Sequence, residues 1–264
     1  MRLVRYLGAK WALADRLVAL MPPHRVYVEV FGGSAAVLFK KPRSAVEVYN
    51  DLDRSVATFF RVLRDQPDEL HRVLLLTPYS REEQELSMVA AVDDLEVARR
   101  FFVRCWQTRG GYHGSTGGSA WQNNQSGWTS QIQQYVKATD VLPNFARRLR
   151  GVMVEHADYR QILDAYDSPE TLFYVDPPYP FSARRGWGTS YPCDLRTDEE
   201  HADLLDRCLA LRGAVMVSGY SHQVYDQRLT GWARHVFRAR NMRGNACDEV
   251  VWCSSAPRQL QVFA

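Results

Sequence analysis

The densest chemistry in the sequence lies in four consecutive residues, Asp176-Pro177-Pro178-Tyr179. Two adjacent prolines stiffen the chain and remove two backbone donors. Carbonyl oxygens and the Asp176 carboxylate are then left as acceptors around one point, with the ring of Tyr179 beside them. Such a group suits a planar exocyclic amine, whose two hydrogens point at the acceptors while its ring stacks on the tyrosine. Asp, Pro and Tyr also meet in ordinary turns. What sets this tetrapeptide apart is its place directly after the apolar run 172–175.

A second group is Glu29-Val30-Phe31-Gly32-Gly33-Ser34, an apolar run that ends in a glycine turn. Glycine there lets a ligand approach the backbone, although many sheets have such a turn without a nucleotide. The acid Glu29 at its mouth disfavours a pyrophosphate and suits a cationic ligand, and the turn is not a G-x-G-x-x-G fingerprint. About 20 residues on stands Asn50-Asp51, an acid at the distance that serves ribose hydroxyls, which would equally suit NAD. Asp158 can accept a hydrogen bond from a cofactor adenine or cap the helix that follows it. Lysine occurs only at 10, 40, 41 and 137, so Lys10, in the loop Tyr6-Leu7-Gly8-Ala9-Lys10, hints at a specific task such as pairing a carboxylate.

These residues need a scaffold that brings strand ends together. Short β-branched runs at 26–30, 45–49, 152–154, 172–175, 214–218 and 250–252 read as buried strands. Their nearly continuous apolar character suits a parallel sheet covered on both faces. Helix-like segments at 35–39, 159–165 and 199–211 lie between them, which predicts a doubly wound α/β sheet whose ligand sits at the carboxyl ends of the strands. The alternation breaks between about 55 and 148. This stretch first reads as helical, with 81–106 rich in Glu, Ala, Leu and Arg, and then as the polar, glycine-rich segment 109–128.

Bulk properties exclude little. The chain has 264 residues, 46% hydrophobic and 24% charged, with a formal charge of +3, as an ordinary globular protein has. No run approaches the roughly 18 apolar residues of a membrane span. The basic start lacks an apolar core, so secretion is not expected. The five cysteines form no C-x-x-C pair and are expected to be reduced thiols, with no zinc-like spacing. Arginine supplies nearly all the positive charge, which codon bias explains as well as phosphate binding does.

In order, these pieces resemble the Dam-like, or D12 class, DNA adenine-N6 methyltransferases over nearly the whole chain. The resemblance rests on Gly8-Ala9-Lys10, the Glu29 to Ser34 turn, Asn50-Asp51-Leu52-Asp53, the insertion, Asp176-Pro177-Pro178-Tyr179, and Asp248-Glu249 before the last strand. Arg109-Gly110-Gly111-Tyr112-His113-Gly114 looks like the family's R-x-G-[YF]-x-G turn. Four positions depart from the pattern: Tyr6 where Trp is common, Ala9 where Gly is, Val30 where Pro is, and Ala35 near where the family has a further Gly.

The resemblance implies a Rossmann-like S-adenosylmethionine-dependent methyltransferase fold. Its catalytic domain would be discontinuous, 1–57 and 148–264, with a mostly helical target-recognition domain at 58–147 and a hairpin-like loop at 109–130. It implies S-adenosylmethionine without a metal, bound by Tyr6, Lys10, Glu29, Phe31, Gly33, Asp51, Asp158 and Asp176. Catalysis would fall to Asp176, Pro177, Pro178 and Tyr179, acting on an adenine flipped out of duplex DNA. DNA contacts are expected from Arg109, Tyr112, His113, Trp121, Asn123, Arg184 and Arg185, with Tyr112 inserted beside the target. A cytoplasmic place is expected for a bacterial, archaeal or phage-encoded chain, with partnership with a cognate restriction endonuclease and action alone both open. Three alternatives fit the same tetrapeptide or fold: methylation of the cytosine N4 amine, methylation of RNA or a protein amide, and a non-catalytic nucleic-acid binder.

Overall fold

A computed structural model describes residues 2–109, 111–112, 130–180, 182, 194–240 and 246–254. Its centre is a seven-stranded sheet built from β1 (Val26–Glu29), β2 (Val46–Asn50), β3 (Val152–Glu155), β4 (Thr171–Val175), β5 (Ala214–Gly219), β6 (Ala233–Arg240) and β7 (Ala246–Cys253). The strand order is β3-β2-β1-β4-β5-β7-β6. The first five strands are parallel, β1 pairing Val26 with Val46 on one side and with Thr171 on the other.

Side chains alternate between two cores, as the pleat requires. Tyr27, Leu172, Tyr174 and Met216 face one, and Val28, Phe173, Val175 and Val217 face the other. The second core is covered by α8 (Tyr159–Tyr166), α9 (Asp198–Ala210) and α10 (Gln223–Arg228). The first is covered by α1 (Ala14–Ala19), α2 (Ala36–Lys40) and helices of the insertion, namely α3 (Arg54–Asp65), α4 (Pro67–Leu76), α6 (Asp94–Gln107) and α7 (Ser130–Leu149), while α5 (Arg81–Leu86) packs on α6. The insertion is joined to the sheet through aromatic packing. Phe60 of α3 lies 4.6 Å from the Tyr49 ring of β2, and Phe59 packs on Phe101 and Phe102 of α6. The expected division at 57/58 and 147/148 falls inside α3 and α7.

The structure departs from expectation in three places. The helical stretch 81–106 is interrupted over 87–93, between α5 and α6, and Asp93 accepts from the Glu96 amide to cap α6, a better use of an aspartate than a helix interior. β6 had no apolar run to announce it; it is an edge strand whose Val236 is 48% exposed. The run at 250–252 belongs to β7, which is antiparallel to both β5 and β6. Residues 241–245 are too few for a parallel crossover, which needs about a dozen or more, so the last two strands pair as a hairpin. Among the described residues, no helix is long and apolar enough to cross a membrane.

Candidate functional site

From β1 the chain winds outward to β2 and β3, then returns to lay β4 on the other side of β1. The loops after β1 and β4 diverge at this switch point and leave a crevice at their carboxyl ends. A cavity of about 610 Å³ opens there, a size typical of cofactor sites. Its walls include Tyr6, Lys10, Glu29, Phe31, Gly33, Asp51 and Asp158, together with Asp176, Pro177, Pro178 and Tyr179. Every residue expected to hold a cofactor or to act on the amine therefore lines one space.

The turn after β1 has room for nothing larger than glycine. A Cβ on Gly32 would stand 2.1 Å from the Tyr49 ring, and Gly33 has φ +50° with Tyr6 packed against it. The Gly33 amide donates to Asp51 at 2.8 Å, and the Tyr49 hydroxyl donates to the Gly33 carbonyl at 2.8 Å. Asn50 had no role assigned from sequence, yet it ties three strand ends together. Its amide donates to the carbonyls of Val30 (2.9 Å) and Ala157 (3.1 Å) and accepts from the Ala157 N–H (3.0 Å).

Two acids here are shifted upward. Glu29 is 2% exposed and accepts from the Tyr27 hydroxyl and the Leu38 amide, both on Oε2; burial pushes its carboxyl up to about 8. Asp51 accepts the amides of Gly33 and Asp53, and desolvation with the neighbouring Asp53 charge pushes it up to about 7. Carboxyls held this way gain from a cation, which would favour their charged forms. Asp158 caps α8 by accepting from the Arg160 amide at 2.9 Å, and it also lines the cavity.

At the end of β4 the side chains form a buried network. Lys10 Nζ lies 2.8 Å from Asp176 Oδ2 and 3.2 Å from Glu249 Oε1. It donates to the Tyr179 hydroxyl at 2.7 Å and to the Gly8 carbonyl at 3.0 Å. The Tyr179 hydroxyl in turn donates to Glu249, with Asp176 Oδ1 at 3.4 Å. Burial raises the Asp176 carboxyl and Glu249 raises it further, while Lys10 opposes both. Lys10 thus pairs a carboxylate, as its rarity hinted. Glu249 was missed as a site residue; the available signal was a glutamate at the head of the apolar run 250–252. It is 5% exposed.

The DNA-facing expectations fare differently. Tyr112 does not stand out to meet a duplex: its ring is 2% exposed and stacks 5.6 Å from Tyr6. Its hydroxyl donates to Asp53 at 2.6 Å, its amide donates to the Arg5 carbonyl, and its carbonyl accepts from the Leu7 amide. A ring fixed on every side cannot wedge between bases without breaking that packing. Arg109 is exposed beside it. His113, Trp121, Asn123, Arg184 and Arg185 lie outside the described residues. Among the described residues, no cluster of three or more His, Cys, Asp or Glu has the geometry to hold a metal.

Residues 6–224 match the family described as D12 class N6 adenine-specific DNA methyltransferase. No curated protein matches the chain.

Proposed function

Because the chain belongs to the D12 class N6 adenine-specific DNA methyltransferase family, we propose that the crevice between β1 and β4 is where adenine in DNA is methylated on N6. The observation that supports this most directly is Asp176-Pro177-Pro178-Tyr179 at the carboxyl end of β4, on the wall of the cavity that Glu29, Gly33 and Asp51 also line.

When bound, S-adenosylmethionine supplies an electrophilic methyl group on a cationic sulfur. The residues fit it: the cavity is large enough, Asp176 and a Glu29 that a cation would draw into its charged form face its cationic groups, and Asp51 stands where ribose hydroxyls would need an acceptor. Phe31, on the Tyr159 ring at 5.7 Å, and Tyr6, against Gly33, give apolar walls.

The adenine amine is a poor nucleophile because its lone pair is delocalised into the ring. Asp176 and the Pro177 carbonyl draw its two hydrogens, which favours a pyramidal nitrogen and frees the lone pair. Positive charge then develops on that nitrogen, and the Asp176 carboxylate stabilises it without having to reorganise. Tyr179 offers an aromatic face for the base. A stacked base cannot reach the end of β4, so the adenine is turned out of duplex DNA. Residues 58–147 are assigned to target recognition, with the 109–130 segment contacting bases.

The test is incubation of the protein with methyl-labelled S-adenosylmethionine and duplex DNA, followed by nucleoside analysis. Label in N6-methyladenine is the expected result. Label in N4-methylcytosine, in RNA or in protein instead, or transfer to nothing, would overturn this reading.

A further inference from the structure

Glu249 has no part in the chemistry above, yet the active-site side chains converge on it. It comes from β7, far along the chain from Lys10 and Asp176, and reaches the end of β4 because β7 is laid antiparallel beside β5. The Tyr179 hydroxyl and the Lys10 ammonium meet on its Oε1. Its side chain is 7% exposed, and it is not among the residues lining the cavity. Behind the site, it touches the groups that face the substrate.

Resting on the methyltransferase reading, we propose that Glu249 is a positioning residue for methyl transfer. It holds the Tyr179 hydroxyl and shares the Lys10 ammonium, and so leaves Asp176 with uncancelled negative charge and an oxygen for the amine. Asp176 has two oxygens. Oδ2 is met by Lys10 at 2.8 Å, while Oδ1 lies 3.4 Å from the Tyr179 hydroxyl, which donates to Glu249 instead. Without Glu249, that hydroxyl would turn to Oδ1, and Lys10 would pair Asp176 alone. Both oxygens would then be spent on the protein's own donors, and a carboxylate cancelled by its own lysine stabilises little charge on the attacking nitrogen. With Glu249, one ammonium serves two carboxylates.

A buried acid that merely braced β7 would leave kcat per folded molecule unchanged. The groups facing Asp176 are Lys10 from the N-terminal loop, Glu249 from β7, Tyr179 from its own turn, Tyr174 from β4 and Glu29 from β1. Glu249 is one that pushes the Asp176 carboxyl up, so removing its charge lets that carboxyl fall. The acid limb of kcat against pH should move to lower pH.

The experiment compares the full chain with Glu249→Gln, which removes the charge, and Glu249→Ala, which also removes the acceptor for Tyr179, using labelled S-adenosylmethionine and duplex DNA. We expect kcat to fall at least about tenfold, the S-adenosylmethionine Kd to stay within about twofold, and the acid limb to shift downward. Pairing Glu249→Gln with Tyr179→Phe should cost less than the product of the two single losses, because both break one network. Unchanged kcat and pH profile, multiplicative losses in the double variant, or S-adenosylmethionine binding lost together with turnover would each overturn the proposal. If the unaltered chain methylates adenine and these outcomes fail, only the role of Glu249 falls. If the unaltered chain leaves adenine unmethylated, the functional reading falls, and this proposal with it.

Discussion

Two of the chain's lysines are buried against carboxylates, and the clusters they make are built in opposite ways. Lys41 lies 2.6 Å from Glu47 of β2, and Arg148 of α7 grips both Glu47 oxygens at 2.6 and 2.9 Å. The Ser44 amide adds a further donor. Here Lys41, Arg148 and, at 3.8 Å, Arg43 close on one carboxylate; burial pushes Glu47 up, but the hydrogen bonds from Arg148 and Lys41 hold it below its ordinary range. None of these residues lines the cavity. At the other end, Lys10 serves both Asp176 and Glu249, and Lys10 and Asp176 face the cavity. The first cluster is saturated and ties the insertion to the sheet. The second is short of positive charge and keeps acceptor capacity for a ligand. A buried ion pair by itself says little about function; what distinguishes the two is the balance of donors to acceptors and the presence of a cavity.

This contrast can be broken at either end. The largest effect is expected from Asp176→Ala, which removes the proposed acceptor for the amine. Methyl transfer to duplex DNA should drop by at least about 10²–10³-fold, with DNA retention in a gel shift unchanged, since phosphate contacts rather than base contacts supply most of such affinity. Turnover within tenfold of the parent would place the chemistry outside this network. Next comes Glu47→Ala, which takes the carboxylate from Lys41 and Arg148 and leaves them only neutral oxygen acceptors. Urea unfolding should show a loss of about 3–5 kcal/mol, while turnover per folded molecule holds. A loss under about 1 kcal/mol would mean that the saturated cluster is not a lock.

Asp51 sharpens the comparison, since its partners are amides rather than cations. Asp51→Ala should weaken S-adenosylmethionine binding by about 1–3 kcal/mol by calorimetry. Unaltered affinity in a folded variant would reduce Asp51 to a brace for the glycine turn. The smallest effect belongs to Ala35, which sits at φ +54° at the head of α2. Left-handed backbone is costly for alanine and free for glycine, so Ala35→Gly should stabilise the chain by about 0.5–1 kcal/mol, seen as a higher Tm with turnover unchanged. A lower Tm would show that the alanine methyl is worth more in packing than its backbone strain costs.

Much of the site was legible because its residues end buried strands, and buried parallel strands announce themselves as apolar runs. Glu29, Asp51 and Asp176 could be placed at a common edge from the positions of three such runs, and all three line the cavity. Glu249 escaped because what matters about it is its contact with Lys10 and Tyr179, and no local pattern encodes that contact. β6 escaped for a related reason: an exposed edge strand buries too little to need an apolar run. Tyr112 misled because an aromatic in a glycine-rich, polar stretch looks the same whether it meets DNA or folds back on Tyr6 and Asp53.

The sequence by itself determined the strands of the parallel half-sheet, the tight turn at Gly32-Gly33, the acceptor group at Asp176-Pro177-Pro178-Tyr179 and the family they compose. These depend on residue type, on spacing and on backbone limits that act over a few residues. Only the tertiary structure decided which charges share a partner, which acids rise in pKa and which tyrosine is a core residue. The antiparallel course of β7, which delivers Glu249 to Lys10, belongs with these. Desolvation and ion pairing depend on distances between atoms far apart along the chain, and those distances exist only once the sheet has closed around the cavity.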